Sequence, residues 1–327
     1  MKEVITKIKG RWSLSCSEEY PELIPWNPIE DCEGEPGGGT GFLGRTLTRL
    51  LKSRGHDVTV VSRQPGEEQI TWGNLEANGL PPCDAVVNLA GENILNPLRR
   101  WNEDFKNEVV SSRLKTTKIL ARAISEMDTP PRVWVLVTGV GYYPPSQTAE
   151  YTEDSPGGDS DFLSCLARDW EAIARLPANL KCPTRQVVVR SGVILGKDGG
   201  AISQMIWPFR FGLGGPIGSG CQYFPWIHVA DMAGVITYAM ETEAVHGVLN
   251  GVAPSTVTNA EFAQSFALVL RRPAFIPLPE FAVNAVFGRE RGVILLEGQK
   301  VIPKRTLATG YKFSFPDLSS ALKDIVS

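Results

Sequence analysis

The sequence predicts an α/β fold: a doubly wound parallel sheet with a small C-terminal lobe. Three observations carry this expectation. From residue 37 onward, apolar β-rich runs alternate with amphipathic stretches; the glycine-rich segment GGGTGFLG stands directly before a helical pattern; and after residue 272 the chain becomes punctuated by Pro and Gly. At 327 residues and 43% hydrophobic composition, there is enough apolar material for one large core and an appended lobe. The expected division is an irregular segment 1–36, a sheet domain 37–272 that includes substrate-pocket segments, and a lobe 273–327.

Strands are expected at Asp57–Ser62, Cys83–Ala90, Arg132–Thr138 and Arg185–Leu195, with weaker ones at Gln69–Trp72 and Gly247–Val252. Helices are expected at Phe42–Arg54, Asn102–Glu126, Asp161–Leu176 and Asn259–Leu270, where apolar residues recur at helical spacing. The lobe ends in the amphipathic stretch Leu318–Val326. It serves either as a packing appendage or as one wall of a substrate pocket.

The glycine segment places Gly38, Gly41 and Gly44 in GxxGxxG spacing. The first glycine allows a tight turn, the second lets a pyrophosphate approach the backbone, and the third lets helix and sheet pack closely. The free N–H groups and positive dipole of the following helix favour the phosphates. This is a Rossmann-type dinucleotide unit with one part missing. A first strand of about five apolar residues should run into the glycines, but IEDCEGEP stands there, with four acids and a proline. A central strand paired on both edges tolerates neither. Val4–Ile8 has strand character but lies far upstream, so residues 1–36 are expected to be irregular or to supply an imperfect substitute.

The second strand, DVTVVSR, ends in Ser62 and Arg63, where an NAD-preferring site would place an acid for the ribose 2′-hydroxyl. A hydroxyl and a guanidinium instead suit a 2′-phosphate, which points to NADP. A solvated surface arginine is the competing role for Arg63. After the next strand, Asn88-Leu89-Ala90-Gly91 is small enough to lie beside the pyrophosphate and adenosine.

Net charge is only −3 and basic residues are scattered, giving no electrostatic reason to expect nucleic acid or an anionic membrane as partner. No run of apolar residues is long enough to span a bilayer. Cys16, Cys32, Cys83, Cys165, Cys182 and Cys221 lie far apart without a CxxC pair, which fits isolated thiols in a reducing compartment. With three histidines, no metal site is expected. The expectation is a soluble intracellular protein, cytoplasmic or organellar, with a homo-oligomer left open.

GGGTGFLG, NLAGENI, WN…SSRLKTT, VTGVGYY, VVVRSGVILG and PWIHVADMA together resemble the extended short-chain dehydrogenase/reductase superfamily, and within it an atypical epimerase-family branch. The resemblance covers residues 37–327 and implies NADP binding. By that similarity the cofactor contacts fall on Gly38, Thr40, Gly41, Phe42, Leu43 and Gly44 of the loop, and on Ser62, Arg63, Leu89, Ala90, Gly91, Glu108, Arg113 and Ile194. Surface ion pairing is the competing role for Glu108 and Arg113.

The superfamily's hydride chemistry uses a tyrosine acid/base and a lysine four residues later. Aligning Glu171 with the glutamate that commonly follows this pair puts Leu163 at the tyrosine position and Ala167 at the lysine position. Neither transfers a proton. The remaining hydroxyls near the expected nicotinamide position are Thr138, Tyr142 and Tyr143, which could orient a carbonyl or pack against the cofactor ring. His228 in PWIHVADMA reads first as a buried structural histidine, with Asp231 capping the helix that follows. Two functions remain: an NADP-dependent oxidoreductase or epimerase-like enzyme for an unknown small molecule, with a nonstandard acid/base, or a noncatalytic NADPH-binding sensor or assembly factor.

Overall fold

A computed structural model describes residues 2–7, 41–66, 68–95, 99–178, 180 and 182–327, with only the backbone described for 2–7. The first half of the chain forms β1 (Lys2–Lys7), α1 (Phe42–Ser53), β2 (Asp57–Ser62), β3 (Gln69–Thr71), α2 (Trp72–Asn78), β4 (Ala85–Asn88), α3 (Glu103–Glu126) and β5 (Val133–Gly139). Then come β6 (Glu150–Tyr151), α4 (Phe162–Ile173), β7 (Arg185–Ser191), β8 (Val193–Gly196), α5 (Gly200–Arg210), β9 (Trp226–His228), α6 (Val229–Glu241) and β10 (Gly247–Gly251). The C-terminal part carries α7 (Asn259–Leu270), α8 (Glu280–Phe287), α9 (Arg289–Leu296), β11 (Lys300–Val301), α10 (Lys304–Ala308) and α11 (Leu318–Val326).

Seven strands form the main sheet in the order β10-β7-β5-β4-β1-β2-β3, the expected doubly wound arrangement. Its pairs are parallel except at β1, which lies antiparallel to both neighbours. β1 pairs with β2 from Lys2↔Ser62 to Lys7↔Asp57, and with β4 at Val4↔Val87, Ile5↔Val86 and Thr6↔Ala85. The slot vacated by the missing first strand is therefore filled, and filled backwards. The atypical first strand expected from the sequence is a substitute drawn from residues 1–36. The chain leaves β1 at the amino edge of the parallel strands, whereas α1 starts at their carboxyl edge.

Both faces of the sheet are covered, which is why β4 and β5 read as unbroken apolar runs. On one face Leu47 and Leu51 of α1, together with α6 residues such as Met232 and Ile236, pack on Val58, Val60, Val87 and Val135. On the other, Leu75, Leu120, Ile124 and Trp170 from α2, α3 and α4 pack on Val61, Val86 and Trp134. A third cluster joins α5, α7 and α11 through Ile202, Phe266 and Leu322. Helix starts are set locally by side chains that accept orphan N–H groups: Asn102 Oδ1 from Phe105, Asp161 Oδ1 from Leu163 and Ser164, and Asp317 Oδ1 from Ser320. The caps shorten two helices relative to expectation, because Asn102 and Asp161 stand outside them.

Other expectations are corrected. Arg185–Leu195 is two strands, not one: β8 leaves the main sheet at Gly192 and pairs with β9. A Cβ at Gly192 would meet the Pro225 carbonyl oxygen at 2.7 Å, so only glycine lets the two segments cross this closely. The Cys83–Ala90 strand contracts to Ala85–Asn88, and Trp72 opens a helix, capped by Thr71, instead of closing a strand. His228 is the N-cap of α6, its Nδ1 accepting from the Ala230 N–H at 3.2 Å. Asp231 does not cap its own helix. Its carboxylate accepts the N–H groups of Ser314 (2.7 Å) and Phe315 (2.8 Å) and so ties the C-terminal segment to α6.

Among the described residues, no helix is long and apolar enough to cross a membrane, and no cluster of His, Cys, Asp and Glu could hold a metal. Cys83, Cys165, Cys182 and Cys221 are free thiols, while Cys16 and Cys32 lie outside the described residues.

Two outcomes are expected. Replacing Ile5 by proline removes a backbone donor from a strand paired on both sides, and should lower unfolding free energy by about 2–3 kcal/mol in urea titrations. An unchanged midpoint would mean that β1 is not a working member of the sheet. Burial also pulls the His228 pKa down from 6.5 to about 4, opposed by the Asp324 carboxylate 3.3 Å from its Nε2. Between those values the unfolded chain binds a proton that the folded chain refuses. The contribution is thus whole above pH 6.5 and lost as pH falls toward 4, amounting to at most about 3 kcal/mol. His228→Asn, which keeps a capping oxygen, should flatten this part of the stability–pH curve.

Candidate functional site

The carboxyl ends of β2, β4 and β5 converge where an open α/β sheet places its ligand. Gly38 and Thr40 of the glycine loop lie outside the described residues; Gly41, Phe42, Leu43 and Gly44 open α1. Among the described residues, a Cβ built on Gly41 meets nothing within 4 Å, and Gly44 is buried. Phe42 is held in a glycine nest: added Cβ atoms on Gly196, Gly199 and Gly200 would come within 2.4–3.1 Å of its ring. The start of α1 is thereby locked to the β8–α5 turn. Ile194, on β8 opposite Ile227, packs against the same core face as Leu43 and Leu89.

At the end of β2, Ser62 is fully buried and its Oγ accepts the Gln64 N–H at 3.2 Å, while Arg63 is exposed. At the end of β4, buried Asn88 organises the turn. Its Oδ1 accepts the Ala90 N–H at 2.8 Å and its Nδ2 donates to Thr117 Oγ1 at 2.9 Å, which also accepts Trp170 Nε1 at 2.7 Å. Ala90 is buried by this arrangement, and Gly91 abuts Arg113, whose guanidinium would lie 3.0 Å from an added Cβ.

Arg113 and Glu108 share α3 but differ in circumstance. Glu108 makes a surface ion pair with Arg99 at 2.5 Å. Arg113 reaches inward, donating to the Glu92 carbonyl (3.0 Å) and the Val109 carbonyl (3.1 Å) and lying 5.3 Å from the Trp170 ring. Burial pulls its pKa down to about 10. Among the described residues no carboxylate forms an ion pair with it. The Glu92 carboxylate offsets this only in part. A half-buried cation without a direct ion pair, facing a glycine turn, is a place for an anion.

The three candidate hydroxyls separate. Thr138 is buried and its Oγ1 donates to Glu171 Oε1 at 3.2 Å. Tyr143 is wholly buried, donates to Asn250 Oδ1 at 2.8 Å and accepts from Arg190 at 2.9 Å, and burial raises its pKa. Both serve a buried network that sequence reading missed. Arg190 holds Glu171 with two 2.8 Å hydrogen bonds; burial opposes its charge, but Glu171 outweighs burial and raises its pKa. The only hint was an arginine inside the apolar run VVVRSG.

Tyr142 alone keeps partial exposure, with no hydrogen-bond partner for its hydroxyl among the described residues. Its ring lies between the Arg190 guanidinium, 3.3 Å from the ring centroid, and the Gly157 backbone, where a Cβ would be 2.6 Å from the ring. Leu163, at the position aligned with the superfamily tyrosine, packs on Gly141, where a Cβ would sit 3.4 Å from its own. Ala167 is buried.

The model of the NAD dependent epimerase/dehydratase family matches residues 37–250, and a domain of unknown function matches residues 278–325. The chain is 67% identical to human epimerase family protein SDR39U1, over 89% of this chain and 98% of that one. It is 36% identical to epimerase family protein YfhF of Bacillus subtilis, over 89% and 96%. The crystal structure of human SDR39U1 (isoform 2) with NADPH superposes with a TM-score of 0.86 at 67% identity, over 88% of this chain and 97% of that chain. The glycine segment, the sheet order and these matches place the chain in one family: it belongs to the NAD-dependent epimerase/dehydratase family.

Proposed function

We propose that the protein binds NADPH at the carboxyl edge of its sheet and acts as an NADP-dependent oxidoreductase or epimerase-like enzyme on a small molecule, with a proton donor other than the superfamily's tyrosine and lysine. The observation that carries this reading is Arg113, a half-buried cation beside the β4 turn that makes no direct carboxylate ion pair among the described residues. The exposed Arg63 at the end of β2 agrees with it. So does the likeness to a human protein whose structure contains NADPH.

Gly41 and the N-terminal amides of α1 would receive the pyrophosphate, Arg113 an anionic oxygen, and Arg63 the 2′-phosphate, with buried Ser62 holding the turn that carries Arg63. Bound NADPH supplies the hydride. Asn88 keeps the Ala90–Gly91 turn in shape beside it. Leu163 and Gly141 make the neighbouring wall apolar. Tyr142 is the phenol free to donate a proton to a substrate oxygen, and Arg190 holds its ring in place.

One observation favours the second reading, a noncatalytic NADPH sensor or assembly factor. Leu163 and Ala167 occupy the positions of the usual relay, and Thr138 and Tyr143 are committed to the buried network. Turnover separates the two readings.

NADPH should raise the melting temperature more than NADH at equal concentration, and Arg63→Glu should weaken NADPH binding roughly tenfold or more while sparing NADH. Equal shifts with the two cofactors would remove the case for NADP. Against a panel of carbonyl substrates, Tyr142→Phe should reduce NADPH oxidation by about 10²–10⁴-fold without altering cofactor-induced stabilisation. Full activity in that variant would dismiss Tyr142 as the acid; absence of turnover in the parent protein would favour the sensor.

A further inference from the structure

The large exposed apolar side chains concentrate in one region. Trp207 (58% exposed) and Phe211 (72%) lie one turn apart on and just beyond the end of α5, their rings 6.1 Å apart. Phe275 (77%) and Phe281 (76%) belong to the Pro-rich segment and α8, and Leu213 and Ile276 are exposed between them. The two stretches are joined by backbone: Arg272 Nε donates to the Arg210 carbonyl at 2.9 Å, and Gly218 N–H and Leu278 N–H donate to the Leu278 and Pro216 carbonyls at 2.8 and 2.9 Å. Gly215 passes so close to Ile276 that a Cβ would meet its carbonyl oxygen at 2.1 Å. The apolar residues therefore form one surface. Together they expose several hundred Å², roughly the size at which a patch on a soluble domain has a use.

The charge here is opposite to that of the chain. Residues 200–220 and 264–289 contain Arg210, Arg271, Arg272 and Arg289 against the single acid Glu280, in a protein of net charge −3. Among the described residues none of these arginines has a carboxylate ion pair, and Arg210 stacks 5.5 Å from the Trp207 ring. Protruding aromatics on a helix end and a loop, edged by free arginines, combine an insertable apolar tip with cations at headgroup height. A twofold contact between copies would bring this cationic rim against its own kind.

We propose that this face is a peripheral docking surface for an anionic lipid bilayer, with Trp207, Phe211, Phe275 and Phe281 entering the interface and Arg210, Arg271 and Arg272 meeting the headgroups. The low overall net charge concealed it. The bilayer is approached from outside, since no described helix is able to span it.

The test is co-sedimentation of the full chain with vesicles of phosphatidylcholine alone and of phosphatidylcholine mixed with phosphatidylglycerol. Binding should favour the anionic vesicles, weaken with added salt, and shift tryptophan emission to the blue, with the shift reduced in Trp207→Phe. The triple variant F211S/F275S/F281S should lose about a hundredfold in partitioning, and R210E/R271E should lose the preference for anionic lipid. All these positions are exposed, so thermal unfolding should be unchanged and will report any misfolding. Absence of sedimentation with anionic vesicles overturns the proposal. So does concentration-dependent self-association of the parent chain that the triple variant abolishes, which would assign the face to a second copy.

Discussion

The structure depends on filling the gap between β2 and β4. In this sheet order a central strand must satisfy backbone donors and acceptors on two neighbours while keeping the helices on either face a single layer away. Left empty, the gap would divide the core that α1 shares with β2 and β4. The chain meets the demand with six residues, Lys2–Lys7, laid in the reverse direction. Antiparallel pairing satisfies backbone groups as well as parallel pairing does, so the sheet remains continuous. What changes is the approach to the glycine loop, which no longer continues directly from the central strand.

A second organising feature is the buried polar network beneath Tyr142. Glu171 on α4, Arg190 on β7, Tyr143 after β5 and Asn250 on β10 are linked by hydrogen bonds of 2.8–2.9 Å. Glu153 extends the network by accepting the Asn250, Arg305 and Thr306 N–H groups, which anchors α10. A buried charge pair is tolerable only when such partners satisfy it, and partial removal would leave an uncompensated ion. The network therefore fixes the C-terminal segment against the sheet, and it withdraws Thr138 and Tyr143 from chemistry. Arg113 stands in contrast as a half-buried cation with Glu92 as a partial counter-charge and no direct ion pair among the described residues.

Much of the fold was legible because its signals are local. Asn102, Asp161 and Asp317 precede their helices as capping residues, the apolar runs of β4 and β5 reflect burial on two faces, and the defect before the glycine loop was visible as acids and a proline. The break at Gly192 was not legible, since a glycine inside VVVRSGVILG shows no sign of the Pro225 carbonyl that another part of the chain brings to it. Likewise, the hydroxyls of Thr138, Tyr142 and Tyr143 look equivalent in sequence. Only their partners, 33 to 107 residues away, distinguish them.

The sequence by itself determined the α/β class, the presence of the main helices to within a few residues, and the glycine segment, because each rests on spacing within a few residues. Tertiary structure decided the direction of the central strand, the inward turn of Arg113 onto the β4 turn, the commitment of Tyr143 and the gathering of Trp207 with Phe275 on one surface. Those are relations between segments far apart in the chain, and their energies come from pairing and burial that exist only once the sheet has assembled.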